Sequence, residues 1–90
     1  MSYGVELTAE ASEDLARMPT FLQKLTEDEV ERLAKDPTRL SRRAGFPYLP
    51  GQMHQLDVEM DGIHYIVVVL FRYSQDEQRI VLIGIPHYAI

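Results

Sequence analysis

An Asp-Gly pair at Asp61-Gly62 constrains the fold of this chain more than any other feature of its sequence. The pair separates two stretches that are rich in β-branched, aromatic and other apolar residues, 56–60 and 63–72. Both central positions of a type I′ turn require positive φ, and Asp-Gly is a preferred pair for such a turn. The sequence therefore predicts a two-residue β-hairpin in which Met60 faces Ile63.

The predicted register sorts the side chains of this hairpin onto two faces, because opposed residues share a face and successive residues alternate. One face is apolar and is expected to join the core: His54, Leu56, Val58 and Met60 against Ile63, Tyr65, Val67 and Val69. The other face carries Gln55, Asp57 and Glu59 on the first strand and His64, Ile66 and Val68 on the second. Any chemistry in this half of the chain is expected on that second face.

Residues upstream of the hairpin predict one strand and two helices. A short strand over 3–7 alternates apolar and polar residues. Thr8 is a suitable N-cap for the first helix, and Pro19 is expected to end that helix. Thr20 and Gln23 form a capping-box pattern for a second helix, which has an apolar stripe at helical spacing. Thr26 and Glu29 form another capping-box pattern that could divide this helix in two, and one helix, with room for an irregularity near Thr26, is the favoured prediction.

The segment 37–50 predicts a long loop, because it contains three prolines and shows no sustained periodicity. It also holds Arg39, Arg42 and Arg43, three of the nine cationic side chains. These arginines are candidate contacts for nucleic-acid phosphates, and the alternative is a solvated, charged loop.

Residues 79–85 predict another strand, and Pro86 is expected to end its ladder because proline has no backbone N–H. The order β-α-α-β-β-β predicts an α+β fold. In this fold a helical hairpin packs on one face of a mostly antiparallel four-stranded sheet. The whole chain, 1–90, is expected to form a single domain.

Composition excludes several classes of function. The chain has no cysteine, which excludes disulfides and thiolate chemistry, and its net charge of −5 argues against indiscriminate nucleic-acid binding. It shows no signal-peptide pattern and no apolar run of membrane-spanning length, so a cytoplasmic protein without a membrane partner is expected. Asp57 and Glu59 lie two apart on one strand with His54 on the opposite face. This pattern is a weak one for a cation site, and we expect no metal and no cofactor.

Several short motifs resemble the RelE/ParE superfamily of bacterial toxin–antitoxin toxins, in an order and spacing that cover nearly the whole chain. They are Tyr-Gly-Val-Glu-Leu-Thr-Ala-Glu-Ala at 3–11, Asp14-Leu15, Met18-Pro19, Leu33 with Asp36-Pro37, Leu49-Pro50-Gly51, the Gly62 hairpin and Ile83-Gly84-Ile85-Pro86-His87. The family has the β-α-α-β-β-β layout predicted above. The resemblance implies a toxin that is neutralised by a partner antitoxin.

Many RelE-like toxins are ribosome-dependent mRNA endoribonucleases, and the resemblance implies metal-independent acid–base cleavage of mRNA here. His87-Tyr88 is similar to the C-terminal His-Tyr of YoeB-like members. His64 and His87 are candidate proton carriers, with Tyr88 as a stacking or proton-donating group. Arg72 and the pair Arg42 and Arg43 are candidate phosphate and RNA contacts.

A second interpretation is a non-nucleolytic module of ParE-like or degenerate kind that binds an antitoxin or gyrase. Gln55 and Asp57 stand where many RelE-like nucleases have lysines, and His64 stands where an arginine is frequent. No glutamate matches the general base of YoeB-like members in the 46–49 stretch. The structural alternative for His64 is a half-buried strand histidine paired with Glu59, and for His87-Tyr88 it is an ordinary strand end.

Overall fold

The structure is a computed structural model that describes residues 2–37, 42–43 and 51–90. In chain order these residues form β1 (Gly4–Leu7), α1 (Ala9–Ala16), α2 (Thr20–Lys35), β2 (Arg42–Arg43), β3 (Gln52–Met60), β4 (Ile63–Ser74), β5 (Arg79–Gly84) and β6 (His87–Ala89). The strands form one sheet in the order β1-β5-β4-β3-β2, and β6 also pairs with β4. Among the strand pairs formed by the described residues, only β1–β5 is parallel. The predicted α+β fold with a mostly antiparallel sheet is confirmed.

The β3–β4 hairpin has the predicted register. Met60 pairs with Ile63 and Glu59 with His64, and the pairing continues along the strands to Gln52 and Phe71. Asp61 has φ 54° and Gly62 has φ 79°, so both turn residues adopt the positive φ that a type I′ turn requires. A local turn signal thus fixes which side chains of the two longest strands share a face.

The start of α1 agrees with the sequence prediction, and the start of α2 does not. Thr8 caps α1, since its Oγ1 accepts a hydrogen bond from the Ala11 N–H at 3.2 Å. The N-cap of α2 is Pro19, which makes no side-chain capping hydrogen bond, so the predicted capping box at Thr20 is wrong. The Pro19 carbonyl oxygen instead accepts from the N–H groups of Leu22 and Gln23 at 2.9 and 3.0 Å.

The second helix is continuous, as predicted. Thr26 lies in its interior and is fully buried, and its hydroxyl donates to the sulfur of Met18 at 3.6 Å. A partner for the hydroxyl inside the core explains how a threonine that could have capped a new helix is accommodated within this one.

Both helices pack on one face of the sheet and form the core with it. The helices contribute Ala11, Leu22, Leu33 and Ala34, the strands contribute Val67, Val69, Phe71, Ile80 and Leu82, and the connecting residues Met18 and Ile85 complete the core. The opposite side of the sheet, turned away from α1 and α2, is called the outer face below. No helix in the described part of the chain is long and apolar enough to span a membrane.

The sheet contains two short strands beyond the four predicted. β2 lies in the segment expected to be a loop, where Arg42 pairs with Met53 and Arg43 with Gln52. β6 follows Pro86, so the prediction that this proline ends the ladder is wrong. The Pro86 carbonyl oxygen accepts from the Val68 N–H at 2.9 Å, because a residue without an N–H can still accept in a ladder. Pairing with β4 resumes one residue later.

Candidate functional site

The outer face near the hairpin turn is a strip three strands wide. β3 contributes Gln55, Asp57 and Glu59, and β4 contributes His64, Ile66 and Val68 opposite them. The C-terminal segment forms the third column, because Tyr88 pairs with Ile66 and the Ile90 N–H donates to the His64 carbonyl oxygen at 2.8 Å. Pro86, Tyr88 and Ile90 therefore follow one another along the third column. We call these nine residues the outer strip.

His64 lies between two carboxylates of the outer strip. Its Nδ1 is 3.9 Å from Oε1 of Glu59, and its Nε2 is 3.6 Å from Oδ1 of Asp57. The side chain is 41% exposed, yet its Nε2 atom is enclosed and makes no hydrogen bond within the described residues. Asp57 also accepts a hydrogen bond from the amide of Gln55 at 3.1 Å. This surrounding attracts cations and repels phosphate groups.

Tyr88 shares the outer face with His64 and is 52% exposed. Its position opposite Ile66 places it diagonally across the ladder from His64, a separation of about 7–8 Å between Cα atoms. The structure therefore brings together two of the predicted catalytic side chains, His64 and Tyr88, on one accessible surface.

His87 lies on the other side of the sheet. It pairs with Val67, which is fully buried in the core, so its side chain points toward the helix layer. The sheet thus separates His87 from His64. The two histidines do not form a facing acid–base pair.

Arg72 lies on the outer face at the far end of β4. It pairs with Val81 and lines an open depression of 760 Å³ with Gly51, Gln52, Tyr73, Gln75 and Asp76. Eight residues of strand separate Arg72 from His64, a distance of about 26 Å. Arg79, near the same end, is paired with Glu6 and Glu77. The two carboxylates beside His64 therefore lie at one end of the outer face, and the end that holds Arg72 and Arg79 carries charges of both signs.

Arg42 and Arg43 lie in β2 beside β3, as the register above shows. Arg39 and the 46–49 stretch lie outside the described residues. Across the described ranges, no group of three or more histidine, aspartate or glutamate side chains is arranged to hold a metal ion.

Sequence reasoning missed the contribution of the chain terminus to the outer strip. Ile90 is 77% exposed and lies beside His64, and Tyr88 lies beside Ile66. The missing information was the position of β6, because Pro86 indicated the end of the ladder. A search for a continued alternation after Pro86, with Tyr88 and Ile90 on one face, could have predicted it.

Solved structures of toxins from toxin–antitoxin pairs have the same fold. The toxin–antitoxin complex RelBE2 from Mycobacterium tuberculosis contains a chain that superposes with a TM-score of 0.68 and 19% identity, covering 98% of this chain and 100% of that one. The intact RelBE complex from E. coli gives a TM-score of 0.65 with 10% identity, covering 93% and 94% of the two chains.

The free E. coli toxin RelE, in a variant with two arginines replaced by alanine, gives a TM-score of 0.64 and 9% identity. It covers 94% of this chain and 82% of that one. No protein-family model and no curated protein sequence matches significantly. The structural likeness establishes the fold of RelE toxins for this chain, as the sequence resemblance predicted.

Proposed function

We propose that this chain is the toxin component of a bacterial toxin–antitoxin system and is neutralised by a cognate antitoxin protein. The observation that carries the proposal is the superposition of nearly the entire chain on a toxin-fold chain crystallised within a toxin–antitoxin complex. The sequence motifs shared with RelE/ParE toxins support it independently. In this role the protein acts in the bacterial cytoplasm.

Controlled expression in a bacterium tests the toxin role. We expect growth arrest on induction of the chain alone, and relief of the arrest when the small protein encoded by the adjacent reading frame is induced as well. The arrest should need the folded protein, so a Phe71→Asp variant, which places a charge in the fully buried core, serves as the control. Normal growth with soluble, folded wild-type protein would contradict the toxin role.

One mode of action is ribosome-dependent cleavage of mRNA by metal-independent acid–base chemistry. In this mode His64 is the proton carrier, and Tyr88 stacks on a base or donates a proton. These two residues are chosen because both lie on the outer face. Arg72, with Arg42 and Arg43, would contact RNA phosphates. His87 lies across the sheet, so the direct contacts fall to His64 and Tyr88, and His87 is tested separately.

The second mode is inhibition by binding alone, with gyrase as the candidate target. The two carboxylates beside His64 and the separation of His64 from His87 favour this mode over RNA cleavage. A phosphate that approaches His64 meets negative charge, and Arg72 lies about 26 Å away along β4.

Two assays distinguish these modes. Purified wild-type protein and the His64→Ala, Tyr88→Phe and His87→Ala variants are incubated with translating ribosomes, and mRNA ends are mapped. The same proteins are added to a gyrase supercoiling reaction. Cleavage that depends on His64 and Tyr88 would establish the nuclease mode. Growth arrest and loss of supercoiling without new mRNA ends would establish the binding mode.

A further inference from the structure

The outer strip is amphipathic across its width. Its β3 column ends in two exposed carboxylates, Asp57 with 55% and Glu59 with 80% of the side chain exposed. Its C-terminal column is apolar and is also exposed, at 52% for Tyr88 and 77% for Ile90. The nine residues include no lysine and no arginine. The acidic and apolar columns lie on either side of the β4 column of one surface.

The dimensions of the outer strip match an α-helix. Asp57 and Glu59 are two residues apart on a strand, so their side chains are about 6.7 Å apart along it. Two helix positions four residues apart are separated by about 6 Å. The acidic and apolar columns are separated by two strand spacings, about 9.6 Å, and a helix with its side chains is about 10–12 Å wide.

We infer that the outer strip is the docking surface for a cationic amphipathic helix. Lysine or arginine side chains four residues apart contact Asp57 and Glu59, and the apolar stripe of the same helix covers the exposed side chains of Tyr88 and Ile90. Charge complementarity is the argument for this occupant. The inference rests on the proposed function for the identity of the carrier, which is a segment of the antitoxin.

Charge also decides against two other occupants. RNA phosphates would be repelled by Asp57 and Glu59. A second copy of this chain, related by a two-fold axis through the strip, would offer no lysine or arginine to pair with Asp57 and Glu59, because a two-fold interface uses the same patch on both subunits. Both occupants are outcomes of the test below.

Fluorescence anisotropy with synthetic peptides tests the docking surface without the antitoxin. The probe is a fluorescein-labelled 18-residue amphipathic helix with a leucine stripe and lysines four residues apart at one side of that stripe. A matched peptide carries glutamate in place of each lysine. We expect saturable binding of the lysine peptide and at least tenfold weaker binding of the glutamate peptide.

Protein variants place the binding on the outer strip. Asp57→Asn with Glu59→Gln should weaken binding of the lysine peptide about three- to tenfold, as expected for two exposed charge pairs. Glu27→Gln with Asp28→Asn removes two exposed charges on α2 and should change binding less than twofold. Tyr88→Ala should weaken binding by about tenfold through lost apolar contact. Circular dichroism confirms that each variant is folded.

Several results would overturn the inference. The first is no binding of the lysine peptide, or equal binding of the lysine and glutamate peptides. The second is equal weakening by the two double variants that remove charge. The third is displacement of the peptide by a single-stranded RNA, or a dimer of this chain that becomes stronger in Asp57→Asn with Glu59→Gln. The growth assay is a separate measurement. Peptide binding without toxicity would support the docking surface and contradict the toxin role. Toxicity without peptide binding would support the toxin role and contradict the docking surface.

Discussion

Asp14 joins the first helix to the sheet through a single side chain. Its Oδ2 accepts a hydrogen bond from the backbone N–H of Ile85, at 3.0 Å, and Ile85 is fully buried. Thr8 makes a second link, since its hydroxyl donates to the Ile83 carbonyl oxygen at 2.9 Å. Both links lie at the end of β5, next to the register shift of the β4–β5 ladder at Leu70 and Phe71, so they tie this irregular part of the sheet to the start of the helical layer.

Replacement of Asp14 should therefore cost much more than replacement of its exposed neighbour. We expect Asp14→Ala to lower the free energy of unfolding by about 1–3 kcal/mol, because a buried N–H loses a charged acceptor. Asp14→Asn keeps an acceptor oxygen and should recover part of the loss. Glu13→Ala, which removes an exposed pair with Arg17 at 3.9 Å, should cost less than about 0.5 kcal/mol. Urea denaturation measures all three, and equal costs for Asp14 and Glu13 would contradict the assignment.

The contacts of Thr8 and Asp14 differ in how well the sequence predicts them. Thr8 was predictable as a cap because its partner, the Ala11 N–H, lies three residues away. The contact between Asp14 and Ile85 spans 71 residues and depends on how α1 lies on the sheet. Helical spacing places Asp14 on the same side of the helix as Ala11 and Met18, but it does not identify the backbone N–H that this carboxylate meets.

The hairpin turn is the element whose sequence and structure agree most closely, and it gives a direct test. A Cβ at Gly62 would meet no atom within 4 Å, so the cost of Gly62→Ala arises from its φ of 79° alone. We expect a loss of about 1 kcal/mol in the free energy of unfolding. Gly4→Ala, in β1 where φ is not positive, is the matched control and should cost less. A larger loss at Gly4 would contradict the interpretation.

The contact between α2 and β3 includes a partly buried pair of a histidine and a carboxylate. His54 Nε2 lies 3.4 Å from Glu29 Oε1, and both side chains are about 15% exposed or less. Arg32 lies 3.4 Å from the same carboxylate oxygen. The sequence placed His54 on the core face of the hairpin but gave no reason to expect a partner there, since Glu29 belongs to the polar pattern of α2.

A double-mutant cycle measures what this pair contributes. His54→Gln and Glu29→Gln, singly and together, should give a coupling energy of about 0.5–2 kcal/mol in urea denaturation, because the groups are in contact and shielded from solvent. The exposed pair Glu13–Arg17 provides the control cycle, with an expected coupling below about 0.5 kcal/mol. Equal coupling energies in the two cycles would show that burial of the His54–Glu29 pair adds nothing.

At the scale of the whole molecule, the sequence predicted the fold and half of the outer face. The strong signals were the Asp-Gly turn, the capped first helix and the alternation in β3 and β4. They placed Asp57, Glu59 and His64 together on one surface. The other half depended on the chain returning beside β4 after Pro86. That return separates His87 from His64 and places Tyr88 and Ile90 on the same face of the sheet as Asp57 and Glu59.

The resulting charge distribution predicts a low affinity of the free protein for RNA. The net charge of the protein is −5, and the end of the outer face near the hairpin turn carries the exposed carboxylates of Asp57 and Glu59. Non-specific affinity arises mainly from neutralised phosphates, so we expect a single-stranded 20-nucleotide RNA to bind more weakly than about 100 μM at 150 mM salt. RNA-directed action would then depend on the ribosome to present the mRNA. Fluorescence anisotropy with a labelled RNA measures this affinity.

Charge reversal in the outer strip should raise that affinity. We expect Asp57→Lys with Glu59→Lys to strengthen RNA binding by at least about tenfold and to make it depend steeply on salt, because two phosphates gain cationic partners beside His64 and Tyr88. Glu27→Lys with Asp28→Lys gives the same net charge on α2 and should have a much smaller effect. Micromolar, salt-sensitive binding by the wild type would show that cations elsewhere in the chain outweigh the outer strip.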